Sequence, residues 1–230
     1  MEELVLPHER VDDLLVNGLK IIQNPLAFCF GCDAVELANF VSGGAKDYAV
    51  DLGSGTGIIT ILLAGKKGIR TTGVEIQPDM ADMSRRSIKL NNLNNADIIC
   101  LPMQRITEQI PSGSATIVVC NPPYRKAGTG EKQLSSSVAL ARHEIAVSLS
   151  QVVETAYKLL QTGGRFYIVH QTERLAEVIA ECKSRKLEPK VLQILTPNDK
   201  KQPHLFLLKC IYGAKEGLSV LPQRVVDTCV

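Results

Sequence analysis

The sequence predicts a doubly wound α/β domain, a mostly parallel sheet covered by helices on both faces. Three stretches carry that expectation. The first is a strand end, Tyr48-Ala-Val-Asp51, that runs into a glycine-alternating turn, Leu52-Gly-Ser-Gly-Thr-Gly57, and then into an apolar helix start from Ile58. This is a β-loop-α unit, with glycines where the backbone must turn sharply or approach a ligand. The second is a strand over 70–75 that ends in Glu75, eighteen residues after Gly57. The third is Ala115-Thr-Ile-Val-Val-Cys120, a β-branched run without helical periodicity, which marks a buried parallel strand. It is stopped by Asn121-Pro-Pro-Tyr124. The two prolines cannot donate ladder hydrogen bonds and hold the residues before them extended, so Asn121 is presented from a stiff loop at the carboxyl end of a strand. Open α/β sheets keep their ligands at that end.

Taken in order, residues 9–42 read as a mostly helical lead-in. Val11, Leu14 and Leu15 keep helical spacing, Asn17-Gly18 breaks it, and residues 19–22 suit a short strand. Asp33 suits the opening of a helix over 34–41 that Gly43-Gly44 ends. After the glycine turn and the second strand, Pro78 opens a helix over 79–93, closed by Asn94-Asn95. Residues 96–101 read as the third strand and 115–120 as the fourth. A polar, Gly- and Ser-rich stretch over 125–137 suits a lid or substrate loop. Then come a helix over 144–160, a fifth strand over 165–170, a helix over 172–185, and strands near 190–195 and 204–211. The expected organisation is one domain over 1–230: a lead-in over 1–45, a core over 46–215, and a tail over 216–230 without periodicity.

Composition narrows the function. With 230 residues and 45% hydrophobic content the chain can bury one sizeable core. A net charge of +2 excludes a globally nucleic-acid-like electrostatic footprint, so any such footprint is local. Residues 121–143 carry Arg125, Lys126, Lys132 and Arg142 against Glu131, and residues 183–215 carry eight basic groups against Glu188 and Asp199. No apolar run reaches the roughly 20 residues of a membrane span, and the Met1-Glu-Glu-Leu start lacks a signal pattern; the expected location is the cytoplasm. Seven cysteines without an export signal are expected as reduced thiols. Cys29-Phe-Gly-Cys32 is formally a C-x-x-C, but no second pair follows at ligand spacing, so no metal is expected. His143 and His170 read as ordinary surface or core histidines.

The loop at Asn121 suits a particular chemistry. An exocyclic amine on a heteroaromatic base is a poor nucleophile because its lone pair is delocalised into the ring. Two acceptors aimed at its hydrogens, Asn121 Oδ1 and the Pro122 carbonyl, would draw the nitrogen toward sp³ geometry. Tyr124 offers a face on which the base can stack. The glycines alternate as D-x-G-x-G-x-G rather than G-x-G-x-x-G, which favours S-adenosylmethionine over a dinucleotide. Glu75 is placed to accept both hydroxyls of a ribose.

Asp51 to Gly57, Glu75 and Asn121-Pro-Pro-Tyr124 together resemble the motifs of the class I S-adenosylmethionine-dependent methyltransferases, in the branch that methylates amino groups. Glu9-Arg-Val-Asp-Asp13, Ile21-Ile-Gln23, Phe28-Cys-Phe-Gly-Cys-Asp33-Ala34, Ala141-Arg-His-Glu-Ile145 and Glu173-Arg-Leu175 further resemble the bacterial tRNA1(Val) adenine-37 N6-methyltransferase family, over about residues 9–215. The resemblance implies a Rossmann-like, seven-stranded sheet with its last strand antiparallel, and N6-methylation of an anticodon-loop adenosine in tRNA. It implies a cofactor set of Asp51, Gly53, Gly55, Gly57, Glu75, Ile76 and Asn121, with Gln23 and Asp33 closing over the methionine end. The catalytic set is Asn121, Pro122 and Tyr124; the RNA-facing set is Arg125, Lys126, Lys132, Arg142 and His143. Three stretches differ from the family pattern: Leu101-Pro-Met103-Gln104 stands where many relatives carry an acid at the cofactor adenine, Gln171 stands where an Arg is common, and the tail from Pro222 does not follow the usual pattern. Protein-glutamine methylation, DNA-adenine methylation and a non-catalytic RNA-binding role stay open on the motifs alone.

Overall fold

Two antiparallel strands, β1 (Arg10–Asp13) and β2 (Lys20–Gln23), open the chain ahead of helix α1 (Cys32–Phe40). The computed structural model describes residues 4–26, 29–123, 147–197 and 202–226. The hairpin corrects the helical reading of residues 9–18. Val11 and Leu15, which would have shared a helix face, are 40% and 92% exposed. Leu15 and Asn17 hold positive φ, and the Asp13 carboxylate accepts the Leu15 N–H at 2.7 Å, so a turn replaces the helix. What fixes the hairpin lies far along the chain. The Ser87 hydroxyl accepts the Ile22 N–H, and Asn91 brackets Lys20 by accepting its N–H at 2.8 Å and donating to its carbonyl at 2.6 Å.

Ser87 and Asn91 belong to α3 (Pro78–Leu90) and its carboxyl cap. Asn91, drawn to β2, ends that helix three residues short of the expected span. Between lie β3 (Tyr48–Leu52), α2 (Ile58–Lys67) and β4 (Arg70–Glu75); after it come β5 (Ala96–Cys100), a 3-10 turn (Met103–Glu108) and β6 (Ala115–Cys120). The carboxyl half contributes α4 (Leu149–Leu159), β7 (Leu160–Gln171), α5 (Leu175–Ser184), β8 (Leu187–Pro197), β9 (Leu205–Tyr212), β10 (Ser219–Val220) and β11 (Arg224–Val226). Ser148 and Gln151 cap α4 reciprocally, which fixes its start.

The sheet runs in the order β8-β9-β7-β6-β3-β4-β5, with β9 antiparallel to both neighbours. This is the expected seven-stranded arrangement. The tail adds to it: β10 and β11 both pair with β8 in parallel. Strand pleat sorts the core into two layers. Ile117 and Val119 of β6 pack with α1 and α2 on one face, while Val118 and Cys120 pack with α4 and α5 on the other. Each fully buried Ile or Val stabilises the fold by about 1.5–3 kcal/mol. No helix among the described residues is long and apolar enough to cross a membrane.

Candidate active site

Leu52 at the end of β3 pairs with Val74 of β4 on one side and with Cys120 of β6 on the other. The next residue on each of these three neighbouring strands is Gly53, Glu75 and Asn121. Motifs scattered over about a third of the chain therefore meet along one edge, at the carboxyl ends of parallel strands.

The glycine loop is left-handed at three alternate positions, with φ of 73° at Gly53, 54° at Gly55 and 82° at Gly57. At Gly57 space also matters: a Cβ there would stand 3.0 Å from the Ser84 side chain. Ser84, from α3, donates to the Gly55 carbonyl at 2.8 Å and so ties the loop to the next helix. The Val74 carbonyl accepts the N–H groups of Gly53 and Ser54. Glu75 is buried, and both its oxygens accept backbone N–H groups, from Gly55 at 2.9 Å and Gln77 at 2.8 Å. The half-buried Ile76 follows it.

Asp51 is fully buried, and its Oδ2 accepts the Thr60 hydroxyl at 2.8 Å. Burial, reinforced by the charge of Glu75 and opposed by the Thr60 hydrogen bonds, pushes the Asp51 carboxyl up to about 7. Its Oδ1, with Ser54 Oγ and Thr56 Oγ1, is buried with no hydrogen-bond partner among the described residues. Native proteins satisfy nearly all such atoms, so three orphans at the end of β3 and in the loop after it fit a polar ligand that would complete them. Ser54, Thr56, Thr60 and Ser84 were not singled out from the sequence. Ser54 and Thr56 are the positions the glycine alternation leaves unspecified, whereas Thr60 and Ser84 show no signal until the helices are placed.

Asn121 is half-buried and Pro122 buried. Asn121 Nδ2 donates to Asp33 Oδ2 at 3.1 Å, which brings the first turn of α1 to the end of β6. Gln23 is bonded within the lead-in. It is buried, donates to Asp12 through a short contact, and accepts the Phe30 N–H at 3.2 Å. Met103 lies over the loop, with its methyl group 3.7 Å from where a Cβ on Gly53 would be. Tyr124, Arg125, Lys126, Lys132, Arg142 and His143 lie outside the described residues.

The basic carboxyl third is more balanced than its local count suggests. Arg185 pairs with Glu154 and Arg174 with Glu177, while Lys183 lies between Glu188 and Glu216. His170 is buried and stacked on Phe206, and burial, with Arg174 nearby, lowers its pKa to about 4. Cys29 and Cys32 are half-buried free thiols.

A family model, the methyltransferase small domain, matches residues 35–188, from the first turns of α1 into β8. The chain belongs to the methyltransferase small domain family. Among curated relatives of this methyltransferase domain, a tRNA1(Val) (adenine(37)-N6)-methyltransferase of Porphyromonas gingivalis is 25% identical over 166 residues, 69% of this chain and 64% of that protein. A protein of the same name from Shewanella woodyi is 24% identical over 77% of this chain and 74% of its own length. The chain thus spans just under two thirds of the first of these relatives.

Solved structures share the fold. A protein described as a predicted O-methyltransferase from Agrobacterium tumefaciens superposes with a TM-score of 0.67 at 21% identity, over 85% of this chain and 86% of that one. The geranyl diphosphate C-methyltransferase of Streptomyces coelicolor, solved with S-adenosyl-L-homocysteine, gives 0.58 at 15% identity, over 78% of this chain and 76% of that one. TYW2 of Pyrococcus horikoshii, solved with MeSAdo, gives 0.63 at 12% identity, over 91% of this chain and 73% of that one.

Proposed function

We propose that this methyltransferase transfers a methyl group from S-adenosylmethionine to the N6 amine of an unpaired adenosine in tRNA. The observation that carries the reading is the alignment of Gly53, Glu75 and Asn121 at the ends of three neighbouring strands. It supports a loop that would hold the nucleoside of the cofactor beside an asparagine that would orient the amine. The names of the curated relatives supply the substrate class.

S-adenosylmethionine supplies an electrophilic methyl group on a sulfonium. Glu75 would accept the ribose hydroxyls, while Asp51, Ser54 and Thr56 bring their unpartnered oxygens to the cofactor's polar groups. Asp33 would approach the site from the lead-in, beside Asn121. Asn121 Oδ1 and the Pro122 carbonyl would accept the two amine hydrogens and turn the nitrogen lone pair toward the methyl carbon. The cofactor would supply the methyl carbon with a neutral thioether as its leaving group, so no residue need act as an acid, and the amine proton would pass to water afterwards. Most of the rate then comes from proximity and alignment. Tyr124 would stack on the base, and Arg125, Lys126, Lys132, Arg142 and His143 would meet the RNA. An anticodon-loop adenosine is already unpaired, so presenting it costs less than flipping a base from a duplex.

The test is transfer from methyl-labelled S-adenosylmethionine to pools of total tRNA, DNA and protein, followed by digestion to nucleosides or amino acids. Label in N6-methyladenosine from tRNA is the expected result. Label in glutamine, or in DNA alone, would replace the proposed substrate.

A further inference from the structure

We infer that Asp33 is a positioning residue for the transfer, its carboxylate setting which end of the Asn121 amide faces the target amine; this rests on the amine-methylating reading above. The two ends of an asparagine amide are almost the same size, yet only one of them serves. Turned one way, Asn121 offers an acceptor to the hydrogens of the amine; turned the other way, it offers two more hydrogens. Strand β6 and the prolines fix where the side chain starts but not this final rotation. Asn121 Nδ2 donates to Asp33 Oδ2 at 3.1 Å, the pairing of an amide hydrogen with a carboxylate oxygen. Oδ1 is then the end turned away from Asp33. The reversed amide would set oxygen against oxygen.

The elements around Asp33 hold it in place. It lies in the first turn of α1, where the helix dipole favours a carboxylate, and its Oδ1 accepts the Ala34 N–H at 2.9 Å. At the other end of α1, Lys66 donates to the Asn39 side chain, and Lys67 donates to the carbonyls of Asn39 and Val41. Midway, Glu36 pairs with Arg224 of β11 at 2.8 Å. Gly31 supplies room: a Cβ there would stand 2.6 Å from Asp33 Oδ1, although its φ of −103° suits any residue. A methyl group at position 31 is therefore expected to push the carboxylate aside without straining the backbone.

The test uses the full chain and four variants: Asp33→Asn, Gly31→Ala, Asn121→Ala, and Asp33→Asn combined with Asn121→Ala. Asp33→Asn keeps the shape but replaces an acceptor-only group by one that pairs with either end of Asn121. Turnover at saturating S-adenosylmethionine and tRNA should fall about 10- to 100-fold, the worth of one charge-assisted hydrogen bond. Affinity for S-adenosylhomocysteine by calorimetry should stay within about 3-fold of the parent, since the change acts on the transition state rather than on cofactor binding. Gly31→Ala should lower turnover in the same direction by less. The double variant should be no slower than Asn121→Ala alone, because the lever has nothing left to move.

Unchanged turnover in Asp33→Asn overturns the inference. So does a loss of cofactor affinity that matches the loss of turnover, which would make Asp33 a cofactor ligand. A double variant slowed by the product of the two single factors overturns it too. The Asn121 side-chain amide resonances, assigned by their disappearance in Asn121→Ala, report the contact without turnover and should shift in Asp33→Asn; unmoved resonances count against it. A parent that methylates no pool at all defeats the functional reading instead, and the resonances still decide the contact.

Discussion

The glycine loop and the lead-in flank the same site, yet they treat their polar groups in opposite ways. Around the loop, Asp51 Oδ1, Ser54 Oγ and Thr56 Oγ1 are buried and unpartnered among the described residues. In the lead-in, Gln23 bonds Asp12 and Phe30, and Asp13 holds the turn at Leu15. The loop can leave groups unmatched because three strands and α2 fix its backbone, and that rigidity offsets the desolvation cost. The first half of the lead-in is a two-stranded hairpin, which is marginal alone, so its side chains go into holding itself and docking on α3. The candidate site lies where the scaffold is stiff, and the lead-in carboxylate beside it, Asp33, comes from α1 rather than from the hairpin.

The largest expected effect lies between the two regions. Asn121→Ala removes the proposed amine acceptor without touching the glycine loop, so turnover should fall about 10²–10³-fold, as when one preorganised polar group is lost. Affinity for S-adenosylhomocysteine should survive. Near-parental turnover under saturating conditions would remove the amine-orienting mechanism.

The next pair tests the contrast itself. Glu75→Ala takes an acceptor from the Gly55 and Gln77 N–H groups and from the proposed ribose. Hydrogen bonds to a charged group are worth about 1.5–3 kcal/mol each, so cofactor affinity should weaken at least about 10-fold. Gln23→Ala should instead lower the thermal midpoint while calorimetry on the folded protein finds cofactor affinity unchanged. If Gln23→Ala weakens the cofactor as much as Glu75→Ala does, the lead-in is a binding element and the contrast fails.

A smaller effect is legible in pH. The folded protein holds the Asp51 proton up to about pH 7, whereas the unfolded chain releases it near 3.8. Raising the pH through that window therefore removes stability, by at most about 1.4 kcal/mol per pH unit. His170 acts in the opposite direction: held neutral down to about 4 against an ordinary 6.5, it removes stability as the pH falls through that range. Urea unfolding across pH should show the Asp51 slope as the difference between the parent and Asp51→Asn. Parallel curves would mean that Asp51 is ionised in the folded loop.

The smallest expected effect is at the tail. Arg224→Ala breaks the pair with Glu36, and because Arg224 is about half exposed the loss of stability should not exceed about 1 kcal/mol. A much larger loss by urea unfolding would show that β11 is needed to hold α1.

Local chemistry made much of this molecule readable in advance. The strands over 70–75 and 115–120 have the boundaries their β-branched runs suggest, and the glycine alternation marks three left-handed positions because few other residues adopt that backbone readily. Each of these signals lies within a few residues of its own effect. Tertiary structure decided the rest, through partners distant in the chain. Ser87 and Asn91 hold β2, a strand its residues suggest, and pairing with β2 makes a strand of residues 10–13, whose spacing reads as a helix. Glu154 neutralises an arginine that a local charge count leaves bare. The tail becomes strand only because β8 offers it an edge. Asp33 meets Asn121 across 88 residues. A hydrogen bond or an ion pair depends on distance in space, and composition and periodicity report only distance along the chain.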